Sequence, residues 1–225
     1  MANERGSLDG MDDIPDPATF LADRPPREAK APAEPSRTRP ERDRLRALAI
    51  AAGVAWTAGS LATWGLRSDL RAPSVVAPLA IWLLLAAAAL LIALRPRARG
   101  LPWSAWAVQA ALIAVPTGFA LSALAGASFD EPARPGGALT CVLGGAQFAL
   151  VPLALAALSL RRSFLSALAW RGAAVGAACG LVGAFGIHAH CHDTAAAHVL
   201  GAHGLPVLAC ALLGAAAGAL GGRVE

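Results

Sequence analysis

From Ala47 onward the chain alternates long apolar runs with short polar connections, and the runs set the expected fold. Six can be delimited: Ala47–Leu66, Val75–Leu94, Ala105–Gly126, Thr140–Leu160, Gly172–His190 and Ala202–Gly221, none with a charged residue inside. A helix of about 20 residues, at 1.5 Å per residue, crosses a hydrocarbon core of about 30 Å. The runs are apolar all round. A soluble helical core would instead need polar stripes at helical spacing on its outward faces. The pattern therefore predicts an all-α membrane protein: a six-transmembrane-helix bundle over residues 45–223, preceded by a polar tail over residues 1–44.

The tail has a different physics. Its eight basic and ten acidic side chains, its prolines and its few large apolar residues cannot bury enough surface to fold alone, so it is expected to be disordered. Within it, Asp12, Asp13, Ile14, Phe20 and Leu21 set apolar anchors in an acidic patch. A short docking motif that orders on a basic partner has this form; an inert, solvated leader is the other reading.

Charge fixes the expected orientation. Sixteen of the nineteen basic residues fall in the tail, at Arg46 just after it, in the 95–99 and 161–171 connections and at the C-terminus, leaving Arg67, Arg71 and Arg134 for the opposite side. By the positive-inside tendency both termini face the cytoplasm of a multi-pass protein in a bacterial inner membrane. No signal peptide pattern opens the chain. The net charge of +4 thus reads as topology, and no direct nucleic-acid partner is expected. The six tryptophans, mostly near run ends, are expected to anchor at the interface.

Glycines suggest how two of the helices pack. Gly172, Gly176 and Gly180 recur at four-residue spacing in the fifth run, and Gly214, Gly218 and Gly222 in the sixth. Small residues on one face let two backbones approach closely, so these spans are expected to form a tight hairpin. Pro116 and Pro152 fall inside spans three and four, where neighbouring helices commonly accommodate them.

Candidate chemistry gathers near the turn of that hairpin. All five histidines, His188, His190, His192, His198 and His203, occur within sixteen residues, with Cys191 among them. Only deprotonated thiol and imidazole bind transition metals, so such a group couples occupancy to metal, pH and redox state. His188 and His192 share a face if the helix persists that far, while His198 and His203 could fold back from the loop and the start of span six. The topology also brings Cys141 to the outer face beside Cys191. A disulfide is permitted there if the two Cα atoms come within about 7 Å. Cys179 and Cys210 lie deeper and read as small apolar packers.

No standard zinc spacing is present, so the expected ligand is a transition metal ion, zinc or copper, rather than a defined motif. An ordered set of nucleophile, base and acid is missing, and an enzyme is not expected. The competing class is a metal- or haem-binding membrane transporter or redox protein. Transporters place ionisable groups at midplane and haem relays place histidines at several depths, whereas these histidines cluster at one end.

Several segments resemble the negative-regulator-of-sigma-F family of membrane anti-sigma factors. They are Cys141-Val-Leu-Gly-Gly-Ala-Gln-Phe-Ala-Leu-Val-Pro152, Leu160-Arg161-Arg162, Arg171-Gly172 with its glycine repeat, His190-Cys191 and Gly222-Arg223. The resemblance implies six spans, an N-terminal cytoplasmic segment that holds an extracytoplasmic-function sigma factor, and two outer cysteines, here Cys141 and Cys191, that sense metal or oxidative stress. The chain departs from the family after the second cysteine, where His192, Asp193, His198 and His203 stand in place of proline, acidic and aromatic residues. That departure shifts the expected signal toward a metal.

Overall fold

The computed structural model describes residues 39–94, 105–132, 136–160 and 168–221. The docking candidates Asp12, Asp13, Ile14, Phe20 and Leu21, together with Gly222, lie outside them. The elements are α1 (Arg39–Trp64), α2 (Pro73–Leu94), α3 (Ala105–Gly126), α4 (Gly137–Leu160), α5 (Leu168–His190), α6 (Ala196–His198), a π-helical segment (Val199–His203) and α7 (Gly204–Gly221). Six stretches are long and apolar enough to cross a membrane, the last formed by α6, the π segment and most of α7 as Ala196–Leu220. Among the described residues the one extended pairing is an isolated bridge between Ser128 and Ala195.

The bundle is built around α5. Most of this helix is buried, and it packs against α7, α4, α2 and α3. Glycine is the reason so many neighbours fit. A Cβ on Gly172 would overlap the Gly214 carbonyl, and one on Gly214 would overlap the Gly172 carbonyl, so α5 and α7 are in backbone contact. The expected hairpin of close-packed helices is present. On other faces Gly183 meets the Gly145 carbonyl and Gly186 the Phe148 ring, which admits α4 as closely.

The perimeter is apolar as well: Leu84, Leu91, Ile113, Leu121 and Leu212 all point outward, exposed. Helices α3 and α4 run through Pro116 and Pro152. The first helix is the peripheral one. It packs chiefly on α4 and barely touches α2.

Three details differ from the expectations. Helix α1 begins at Arg39, inside the stretch read as tail. The sixth span starts at Ala196 rather than Ala202, so His198 belongs to helix and not to loop, while His203 lies within the span as expected. Trp82 does not sit at an interface. It is fully buried, donates its indole N–H to Ser122 Oγ at 2.7 Å and packs on Phe119 with ring centroids 4.9 Å apart. Its polar edge is satisfied inside the bundle, so an interfacial position is not required.

Candidate metal and thiol site

The C-terminal ends of α1, α3 and α5 and the N-terminal ends of α2, α4 and α6 meet at one end of the bundle, and the thiols and imidazoles converge there. Cys141 lies in the second turn of α4 and Cys191 directly follows α5. Fifty residues apart in sequence, their sulfurs are 3.5 Å apart, with Cys141 donating to Cys191. All four cysteines are free thiols. The Nε2 atom of His198 lies 3.5 Å from the Cys191 sulfur. His203 completes the group: Cys141, Cys191, His198 and His203 each offer one donor atom, and all four atoms lie within 4.8 Å of one another.

The π-helical segment explains why two histidines five residues apart serve one site. In an α-helix, at 3.6 residues per turn, they would diverge by about 140°. With i→i+5 bonding, residue i+5 returns to the same face, and the two rings sit with centroids 5.2 Å apart. Pro206 supplies the sequence reason for the widening. It has no N–H for the carbonyl four residues back, at Ala202, and in a regular α-helix its ring would clash with that carbonyl.

The donor set can be tested against a metal's needs. Tetrahedral zinc, with bonds of about 2.3 Å to sulfur and about 2.0 Å to nitrogen, holds its donors roughly 3.3–3.8 Å apart. The two 3.5 Å separations already match. Both ring nitrogens of His203, which is fully buried, lack a hydrogen-bond partner. Burying such a group unpaired costs about 1–3 kcal/mol, and a bound ion would recover it. On the far side of His198, Nδ1 faces Asp193 Oδ2 at 3.4 Å, without hydrogen-bond geometry, while Asp193 Oδ1 accepts the Ala195 N–H at 3.0 Å. A carboxylate behind a ligating imidazole fixes its ring and tautomer.

Thiol chemistry points the same way. The hydrogen bond from Cys141 holds the Cys191 thiol well below its ordinary value; the neighbouring His203 adds to this and burial opposes it. A thiolate is the form that binds metal and attacks oxidants.

The remaining sequence candidates divide. His188 is buried one layer deeper, its ring 5.3 Å from His203 and 5.1 Å from Trp82. Helix α5 ends at His190, so His192 does not share a helical face with His188. His192 is exposed and accepts the Ser68 N–H at 3.3 Å. His190 packs edge-on against Trp64, with Nδ1 3.0 Å from the Gly65 carbonyl oxygen.

Sequence reasoning missed Arg67. It reads there as a stray charge in the α1–α2 connection, yet it is buried. Its Nε and one terminal nitrogen donate to the two carboxylate oxygens of Asp69 at 2.6 and 2.7 Å, and the other terminal nitrogen donates to the Cys191 carbonyl at 2.7 Å. Its backbone N–H donates to the Ala189 carbonyl at 3.0 Å. An Arg-x-Asp pair in a connection otherwise poor in charge was the available signal. Such bidentate pairing pre-orients the guanidinium.

The fold and site together define a bundle of membrane-spanning length with a thiol–imidazole donor set at one end. The chain belongs to the family described as negative regulator of sigma F, which it matches over residues 30–221. Membership makes it a negative regulator of a sigma factor, an anti-sigma protein. Neither the curated proteins nor the solved structures include a match.

Proposed function

We propose that this chain is a multi-pass inner-membrane anti-sigma factor that holds an extracytoplasmic-function sigma factor at its cytoplasmic face and responds to a metal or oxidant at an outer Cys141/Cys191/His198/His203 site. The observation that carries the sensing half is the convergence of four buried or half-buried donors from α4, the residue after α5, α6 and the π segment. Zinc, cadmium or Cu(I) suits this mixed thiolate and imidazole set. The same sulfurs would serve an oxidant. Hydrogen peroxide would take two electrons from the pair: its O–O bond breaks as the Cys141–Cys191 bond forms, and the two oxygens leave as two waters, each taking up one of the two protons that the thiols give up.

A signal outside must change contacts inside, and a ligand does so only by binding two packing states unequally. Two parts of the molecule differ in freedom. Backbone contact locks α5 to α7, whereas α1 is peripheral and is fastened to the Cys191 segment through Arg67, Ser68 and Gly65. Drawing Cys191 toward an ion or into a disulfide would therefore pull on the outer end of α1, whose inner end leads into the segment with Asp12, Asp13, Ile14, Phe20 and Leu21. That segment would dock the sigma factor.

Affinity capture of the full chain from native membranes tests the partner, and recovery of no sigma factor would overturn that half. The sensor half is tested by following sigma-dependent transcription with Cys141→Ser and Cys191→Ser. An undiminished response to metal and peroxide would remove it.

A further inference from the structure

A fissure runs down the side of the bundle where α1 and α2 fail to meet. Its volume is about 380 Å³, and its wall on α1 is one continuous stripe: Arg46, Ile50, Gly53, Thr57 and Leu61. Leu90 and Leu94 of α2 face that stripe, and Cys179 and Val182 of α5 form the floor. The lining is apolar apart from one end. Thr57 donates its hydroxyl proton to the Gly53 carbonyl at 3.0 Å, so its donor is already used. Arg46 is the single cation, at the end opposite the thiol site.

We propose that this fissure is a binding site for one acyl chain of an anionic phospholipid, with Arg46 paired to the headgroup phosphate. The proposal rests on the reading that the six helices lie in a bilayer. Dimensions select the occupant. From Arg46 to Leu61 is roughly 22 Å along the helix, longer than the depth of one leaflet, about 15 Å, so one extended chain lies along it whole. The groove is apolar along that length apart from Arg46 at its end, which suits a hydrocarbon chain laid along α1. Charge selects the headgroup: by the positive-inside reading Arg46 sits at the cytoplasmic surface, where a guanidinium pairs with phosphate and gains from an anionic leaflet. A bound chain would fill the gap beside α1, the helix that is otherwise least held.

Native mass spectrometry of the full chain in detergent, with dioleoyl phosphatidylglycerol or dioleoyl phosphatidylcholine added, tests this. One phosphatidylglycerol should be retained in preference to phosphatidylcholine. Arg46→Ala should reduce that preference about fivefold, the equivalent of about 1 kcal/mol for one surface cation, and Arg46→Lys should restore most of it. Ala58→Phe and Val182→Phe, which fill the fissure from its wall and floor, should abolish retention of both lipids while helicity by circular dichroism is unchanged. Equal retention of the two lipids by the unaltered chain, undiminished retention by the folded filled variants, or a second copy of the chain in place of lipid would each overturn the proposal. A chain that stays monodisperse without detergent would instead remove the membrane reading beneath it.

Discussion

The guanidinium of Arg67 donates to the backbone carbonyl of Cys191 at 2.7 Å, while its other two donors are held by Asp69. One side chain thereby joins the connection after α1 to the residue that carries the most acidic thiol. Replacing Arg67 by Met should leave the Cys191 carbonyl without its charged donor and cost about 1–3 kcal/mol of thermal stability. If Arg67 transmits rather than senses, metal affinity in R67M should change little, while metal no longer alters sigma capture. Equilibrium competition with a chromophoric chelator and pull-down with and without metal measure the two effects separately.

Metal stoichiometry gives a sharper division. Cd²⁺ should bind one ion per chain with sulfur-to-metal charge-transfer absorbance in the ultraviolet. Cys141→Ser, Cys191→Ser, His198→Ala or His203→Ala should each remove or severely weaken it. His190→Ala and His192→Ala should leave it unchanged, since neither ring belongs to the four-donor group and each is turned to the α1–α2 connection instead. Asp193→Ala, which removes the carboxylate behind His198 together with its bond from the Ala195 N–H, should weaken binding about 10- to 100-fold.

Removal of the ion has its own signature. Chelation should speed peroxide-driven loss of the Cys141 and Cys191 thiols, and excess zinc should slow it, because a metal-bound thiolate is withheld from the oxidant. Thiol counting after timed exposure reads this directly. Equal rates with and without zinc would mean that the two chemistries do not share the sulfurs.

The Arg67–Asp69 pair sets a pH expectation. Arg67 holds the Asp69 carboxyl at about 2, below its ordinary value. A depressed carboxylate contributes stability that is fully present above its unfolded value of about 4 and is lost as pH falls through 4 toward 2. The contribution is modest because the Asp69 side chain is half exposed. Thermal unfolding from pH 5 to 8 should therefore show no step from this pair, and Asp69→Asn should flatten the loss seen below pH 4.

Close packing makes a structural prediction. Gly172→Val places a side chain where the Gly214 carbonyl already lies, and no rotamer avoids that overlap. The variant should lose well over 1 kcal/mol or misassemble. Gly59→Val, at a site on α1 with open space around the Cβ position, is the matched control and should unfold near the unaltered temperature.

Much of this was legible in the chain because apolar run length and four-residue glycine spacing are local signals. They give the six helices and the α5–α7 contact directly. The meeting of Cys141 with Cys191 was legible from topology, since alternating spans return both to one end. Three things were not. His198 and His203 are five residues apart, a spacing that α-helical reasoning sets on different faces; the widening required knowing what Pro206 does to a helix already packed on its neighbours. Trp82 follows no positional rule, because burial depended on Ser122, forty residues away, offering its hydroxyl. Arg67 looked like topology alone, and its role emerges only when the end of α5 arrives beside it.

The π-helical segment also has a consequence for how such a site is gained or lost. Between His198 and His203 the chain carries one residue more than a regular helix would use to return to the same face. A single-codon deletion at Gly201, whose surroundings are open, would rewind the turn to a regular helix with the two histidines four residues apart, still on one face and with α7 in register on α5, whereas winding the present five-residue spacing as a regular helix would set the two rings about 140° apart. Possession of the donor set is thus a matter of how the local turn is wound as much as of which side chains the chain encodes.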